Sequence, residues 1–177
     1  MVDTQRDKAA LAALFADNVS GDISPQDLRD FLESMHPSAL SYYVSSSAET
    51  TIVTQSVYVK VAGTTTQVSA RGFTHSNNRA TYTGTPDIHV FITASVSMTA
   101  AGTNVITAWR AAKNGTTIAS SEVQRKVGTG TDIGALFIAA EADLSTNDYI
   151  EIFCANESDT TNMTADYMYV HVLQVFK

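Results

Sequence analysis

The chain has 177 residues, 16% charged and 44% hydrophobic, with a formal net charge of -7 and a pI near 4.9. An acidic balance of this size excludes a partner held through nucleic-acid phosphates. Cys154 stands alone, which excludes an intrachain disulfide, and no apolar run is long enough to span a bilayer, so no membrane partner is expected. The N-terminal stretch lacks an apolar core with a basic flank, so no signal peptide is legible, and synthesis and folding in a cytoplasm are expected. Ser, Thr and Asn take the place of charge, a mix that suits polar strand faces and turns.

The first 40 residues read as helix. Leu11, Leu14, Phe15 and Val19 recur at helical spacing over Asp7 to Asn18. Ser20-Gly21-Asp22 breaks the pattern. Ser24 then offers an N-cap, Pro25 suits the first turn, and Asp27 occupies the acidic position of a capping box. Leu28, Phe31, Leu32 and Met35 form a second stripe, and His36-Pro37 ends it, because a residue before proline avoids the helical region. Helices this short are marginal in water and must pack on something. A lid on the following domain is one reading. The expected one is an anchor, residues 1–40, seated in another subunit through Leu11, Leu14, Phe15, Leu28, Phe31, Leu32 and Met35.

Residues 41–50, SYYVSSSAET, read as a Ser-rich linker, and a β domain is expected over 51–177. Ile52 through Val57, Val59 and Val61 alternate like a strand. Residues 70–86 are rich in turn formers, with Asn77-Asn78 and Gly84-Thr85-Pro86 as breakers. Ile88, Val90, Ile92, Ala94, Val96 and Met98 then line one face of a long strand. Asn114-Gly115 marks a hairpin tip. Strands follow over DIGALFIAAEADLS and YIEIFCANES, and the chain closes on ADYMYVHVLQVF, apolar on both faces and expected to be covered twice. Eight to ten strands without intervening helices predict an antiparallel sandwich or jelly roll.

The succession YTGTPDIHVFITASVSM, AWRAAKNGTTIASSE, LSTNDYIEIFCANES and a closing apolar strand resembles the C1q/tumour-necrosis-factor-like jelly roll. It is similar in particular to the version carried by tailed-phage fibres and virion-surface proteins. The marks are Tyr82-Thr83-Gly84, Lys113-Asn114-Gly115 and Asn147-Asp148-Tyr149-Ile150, where Asn147 replaces a usual Gly. The leader looks like a helical segment that precedes such domains in phage structural proteins. The resemblance implies a homotrimer packed through outer-face apolar residues, with Phe137, Phe153, Tyr167, Tyr169 and His171 as interface candidates.

Little in the chain suggests chemistry. His36, His75, His89 and His171 fall in no metal-ligand spacing, and no nucleophile elbow occurs. Cys154, mid-strand, is expected to be buried and inert. Glu141, Asp143 and Asp148 cluster near one turn and read as a solvated acidic rim or, less simply, a calcium site. Residues 128–134, GTGTDIG, lack the strand–turn–helix setting of a phosphate loop and read as a connection. Trp109 reads as a core plug, with a binding hot spot beside Arg110 as the alternative. The expected function is therefore non-enzymatic and without cofactor or metal: a trimeric capsid decoration or cement protein on the virion surface, bound to the major capsid protein or another virion subunit. The alternative is a tail-fibre or head-fibre knob recognising a host surface glycan or protein through loops 73–86, 114–117 or 156–163.

Overall fold

The computed structural model describes residues 6, 10, 11, 13, 24–129 and 132–175. Among the described residues, the helix α1 (Pro25–Ser34) leads into two antiparallel sheets. Its start follows the predicted chemistry. The Asp27 N–H donates to Ser24 Oγ at 3.2 Å, and the Ser24 N–H donates to Asp27 Oδ2 at 2.9 Å, closing a capping box. The helix does not bury the expected stripe. Asp30 and Ser34 are its buried residues, with Arg6 paired to Asp30 at 2.8 Å and its N–H on Ser34 Oγ at 2.8 Å. Leu28, Leu32 and Met35 are all more than half exposed, and Phe31 is half-buried. Leu11 is half-buried, whereas Leu14 and Phe15 lie outside the described residues.

The chain then forms thirteen described strands: β1 (Ala39–Ser46), β2 (Glu49–Thr50), β3 (Val59–Lys60), β4 (Thr64–Arg71), β5 (Phe73–Ser76), β6 (Arg79–Tyr82), β7 (Ile88–Ala100), β8 (Val105–Lys113), β9 (Thr116–Thr117), β10 (Val123–Val127), β11 (Gly134–Leu144), β12 (Tyr149–Asn156) and β13 (Met163–Val175). The first sheet runs β11-β7-β13-β1-β4, with β2 also on β13. The second runs β10-β8-β12-β6-β5, with β3 on β12 and β9 on β8. This is a mainly β, two-sheet sandwich, as the turn spacing predicts. The core lies between the sheets, where Ile88, Val90, Ile92, Ala94, Val96 and Met98 of β7 face Trp109, Ile150, Ile152 and Cys154.

Three local expectations are corrected. Residues 41–50 are not a linker: β1 is an interior strand, paired with β13 on one side and β4 on the other. Leu40, Tyr42 and Val44 alternate into the core, and the serines that suggested a joint occupy mostly the other face. The strand expected over Ile52 to Val61 shrinks to Val59–Lys60, because Ser56 adopts a left-handed φ of 61° and breaks the extension. Ile52 and Val61 are still buried. The turn-rich segment is a true hairpin, β5–β6, whose tip Asn77-Asn78 has φ of 50° and 56°. Two successive positive φ values give the twist that short hairpins need, and Asn114-Gly115 does the same at 52° and 78°.

Trp109 is fully buried, and its ring N–H donates to Thr107 Oγ1 at 3.0 Å, so it is a core plug with its polar atom satisfied. Cys154 is also fully buried, and desolvation pushes its thiol up to about 12. A thiol-specific reagent should therefore leave the folded protein unmodified at pH 8 and take up one equivalent only in denaturant. Rapid labelling of the folded state would contradict this burial.

Candidate interaction surfaces

The register of the first sheet determines what its outer face presents. Ladder pairs align Phe137 with Ser95, Ser95 with Tyr169, and Tyr169 with Tyr43, so one row crosses four strands. The next row brings His171 between Thr93 and Ser41, and the row beyond it puts Leu173 between Phe91 and Ala39. Tyr167, one step the other way, is 74% exposed, and Phe137 is 58% exposed. Tyr43, Phe91 and Tyr169 are exposed as well. A groove of about 380 Å³ runs between Tyr43, Ser95, Ser97, Ala135, Tyr167 and Tyr169. An aromatic patch on one sheet face of a water-facing domain is the kind of surface that proteins use for association.

Four of the five candidate interface residues, Phe137, Tyr167, Tyr169 and His171, thus share this face. Phe153 does not. It is on β12, in the second sheet, between Lys60 and Arg110 in register. The closing strand β13, apolar on both faces, is covered on one: Met168, Val170 and Val172 are buried in the core, and the tyrosines are open.

The acidic residues separate. His89 Nδ1 is 2.9 Å from Asp143 and its Nε2 is 3.5 Å from Glu141, all on the first sheet. Asp148 is elsewhere, in the turn before β12, 2.8 Å from Lys113 and accepting from the Asn114 side chain at 2.7 Å. Among the described residues no group of three or more His, Cys, Asp or Glu side chains could hold a metal ion. In the connection between β10 and β11, the Gly128 N–H donates to Asp132 at 2.6 Å, and no helix follows.

Asp148 carries a pH signature. Desolvation opposes its charge, but hydrogen bonds from Lys113, Asn114 and the Ser145 N–H outweigh it and hold the carboxyl at about 2. A carboxyl depressed from an ordinary 3.8 stabilises the fold above that value, and the contribution is lost as pH falls toward about 2. Asp148→Asn should lower the melting temperature at neutral pH and flatten its decline between about pH 4 and 2. An unchanged acid profile would exclude this role.

Sequence reasoning missed one site. Glu151, on β12, is 1% exposed although it faces outward from the second sheet. Arg79 Nε meets its Oε1 at 2.8 Å and Lys60 Nζ at 3.4 Å, while Arg79 also lies 4.2 Å above the Tyr149 ring. Glu151 Oε2 has no hydrogen-bond partner among the described residues. The available signal was an acid in mid-strand flanked by aromatics, YIEIF, with basic residues on two other strands.

No protein-family model matches the chain, and no curated protein matches it in sequence. Solved structures do match in shape. Murine APRIL superposes with a TM-score of 0.56 at 10% identity, over 79% of this chain and 100% of that one. The vertex protein P5 of PRD1 superposes with a TM-score of 0.50 at 12% identity, over 79% of this chain and 97% of that one. Strand order, layer arrangement and these superpositions lead to one conclusion: the protein has a TNF-like jelly-roll fold, a two-sheet antiparallel sandwich preceded by one short described helix.

Proposed function

We propose that the protein is a non-enzymatic virion-surface subunit, a homotrimer that decorates or cements a phage capsid and is held there by its N-terminal helical segment. The observation that carries the reading is the aromatic outer face of the first sheet, with Tyr43, Phe91, Phe137, Tyr167 and Tyr169 exposed on adjoining strands. Jelly rolls of the TNF-like kind typically associate as trimers through such faces, and an obligate interface resembles a core cut in half. The similarity to PRD1 vertex protein P5 supports a place on a viral surface by analogy of fold. The exposed Leu28, Leu32 and Met35 give α1 an apolar face with which to hold a neighbouring virion subunit such as the major capsid protein. Bound in many copies, such a subunit would stabilise a shell by adding contacts between capsomers.

The test is the solution mass of the full chain and of residues 37–177, by light scattering on a sizing column, followed by co-sedimentation with particles. The shortened chain begins before Ser38, whose N–H and C=O bond the side chain and backbone of Gln174, so that β1 stays whole. Three chain masses for both, with binding to particles by the full chain alone, are expected. A monomer overturns the trimer, and particle binding by the shortened chain overturns the anchor.

A second reading, a fibre knob that recognises a host-surface glycan or protein, is favoured by the direction of the strands. β1 runs away from α1, and β13 runs back toward it, so the segments 47–48, 101–104 and 157–162 gather at the end opposite the helix. The loop 156–163 is at that far end, whereas the Asn114–Gly115 tip is at the helix end, where Lys113 reaches the Asp143 carbonyl.

A further inference from the structure

The chain contains one Asn-Gly step, Asn114-Gly115, and it is the exposed tip of the β8–β9 hairpin. Asn-Gly is chemically labile. The backbone nitrogen of the glycine can attack the asparagine Cγ, and a glycine has no Cβ to hinder the approach. A Cβ built on Gly115 would meet nothing nearer than the Tyr149 hydroxyl at 3.9 Å, so water reaches this peptide. The fold opposes the reaction. Both ends of the Asn114 carboxamide are held by the turn before β12: Nδ2 donates to Asp148 Oδ1 at 2.7 Å, and Oδ1 accepts from the Tyr149 N–H at 2.9 Å. These contacts fix the orientation of the amide, because a carboxylate only accepts and an N–H only donates. They direct Cγ across to β12, away from the Gly115 nitrogen. Asp148 is fixed in turn, its Oδ2 taking the Ser145 N–H at 2.9 Å and Lys113 Nζ at 2.8 Å. The Asn114 N–H donates to the Tyr149 carbonyl at 3.0 Å, and the Tyr82 N–H donates to the Asp148 carbonyl at 2.8 Å, so hairpin, turn and β6 are tied into one unit.

We propose that Asn114 is a deamidation site gated by this clamp, and that its conversion is a one-way record of the turn having opened. In an opened turn the Gly115 nitrogen gives up its proton and bonds to Asn114 Cγ. The Cγ–Nδ2 bond breaks and ammonia leaves. Water then opens the cyclic imide, at Cγ to give aspartate or at the main-chain carbonyl to give isoaspartate. The reaction consumes water alone. Either product replaces the Nδ2 donor with a carboxylate oxygen, where Asn114 and Asp148 now meet at 2.7 Å. Two like charges at that separation repel, so the clamp does not close again in its old form. Isoaspartate also lengthens the main chain by one methylene at a residue whose φ of 52° the hairpin requires. The other asparagines with positive φ, Asn77, Asn78, Asn104 and Asn147, are each followed by a residue with a side chain that hinders the same attack.

The experiment is ageing of the full chain at pH 8, followed by peptide mapping with mass spectrometry, against a synthetic peptide of residues 110–119 in the same buffer. The folded chain should convert Asn114 at least about tenfold more slowly than the peptide, the factor expected when two hydrogen bonds hold the closed state. Asp148→Ala, which removes the acceptor from Nδ2, should raise the rate in the folded chain about fivefold, the effect of one such bond. Near-UV circular dichroism on each sample shows that the fold persists. Equal rates in folded chain and peptide overturn the proposal, as does a folded Asp148→Ala chain that converts no faster. Asn114→Asp makes the product directly and tests the one-way step without relying on that variant. The charged groups around it are Asp148 and Lys113, with Arg79 beyond on the Tyr149 ring. Its melting temperature should lie below the parent's at pH 7 and approach it near pH 3, where the new carboxyl is protonated and can donate to Asp148. A deficit of the same size at both pH values overturns the carboxylate repulsion.

Discussion

If the chain forms the homotrimer proposed above, Tyr169→Glu is expected to reduce it to a monomer of 19.0 kDa without unfolding it. Tyr169 lies on β13, midway along the β11-β7-β13-β1-β4 order of the six-stranded first sheet, in the row that joins Phe137, Ser95 and Tyr43. In one protomer the ring is 44% exposed on the outer face, so a carboxylate there stays hydrated and costs little, within about 0.5 kcal/mol for a surface change. In an interface built on that row the same carboxylate would be desolvated and unpaired. The aromatic contact would also be lost, at a hot-spot cost of about 2 kcal/mol or more. In a three-fold symmetric trimer every protomer would carry that penalty. Phe153→Glu is the informative control, since Phe153 is on the second sheet and its replacement should leave the mass at three chains. Light scattering with a parallel thermal melt reads both. If Tyr169→Glu keeps the assembled mass, the aromatic face is not where the copies meet.

Arg79→Met is expected to cost about 2 kcal/mol of stability, less than for a fully buried pair, because the Arg79 side chain is 35% exposed and Lys60 stays 3.4 Å from the same oxygen. Glu151 is 1% exposed, and its Oε1 takes both the Arg79 contact at 2.8 Å and that of Lys60. Removing the guanidinium leaves a carboxylate that is already short of one partner at Oε2. Removing the partner of a buried carboxylate is more destabilising than replacing both members. Arg79→Met combined with Glu151→Met should therefore recover most of the loss, because the polar atoms disappear together. Urea denaturation of the single and double variants gives the comparison. A double variant no more stable than Arg79→Met would show that the pair is not the cause.

These two sites differ in how far they were legible. The strand β7 could be read outright, since Ile88 through Met98 alternate without a break and the structure buries that whole set. The hairpin tip at Asn114-Gly115 was legible because Asn-Gly tolerates positive φ, and Asn147, at φ 73°, took the turn position predicted for a replaced glycine, whereas Asn77-Asn78 read only as breakers. The capping box at Ser24 and Asp27 was legible for the same local reason. Strand β1 was not, because serines on its outer positions hid the alternation of Leu40, Tyr42 and Val44. The burial of Asp30 and Ser34 in place of the apolar stripe was also illegible. Arg6 supplies a charge to that face from 24 residues away, and no periodicity reports such a pairing.

What the amino-acid sequence determined by itself was therefore local: where most segments extend and turn, and from their spacing an antiparallel sandwich, with the TNF-like form implied by resemblance. The tertiary structure decided what is covered. Period-2 alternation states that a strand has two faces, but the face that meets the core depends on its neighbours and its register. The bulge at Asp166 reverses that parity within β13: Met163 and Ala165 point inward before it, and Met168 and Val170 after it. That one inserted residue sends Tyr167 and Tyr169 outward into the aromatic face and leaves the Asp166 carboxylate beside them. Burial is a relation between segments far apart in the chain, so only the assembled sheets could assign it.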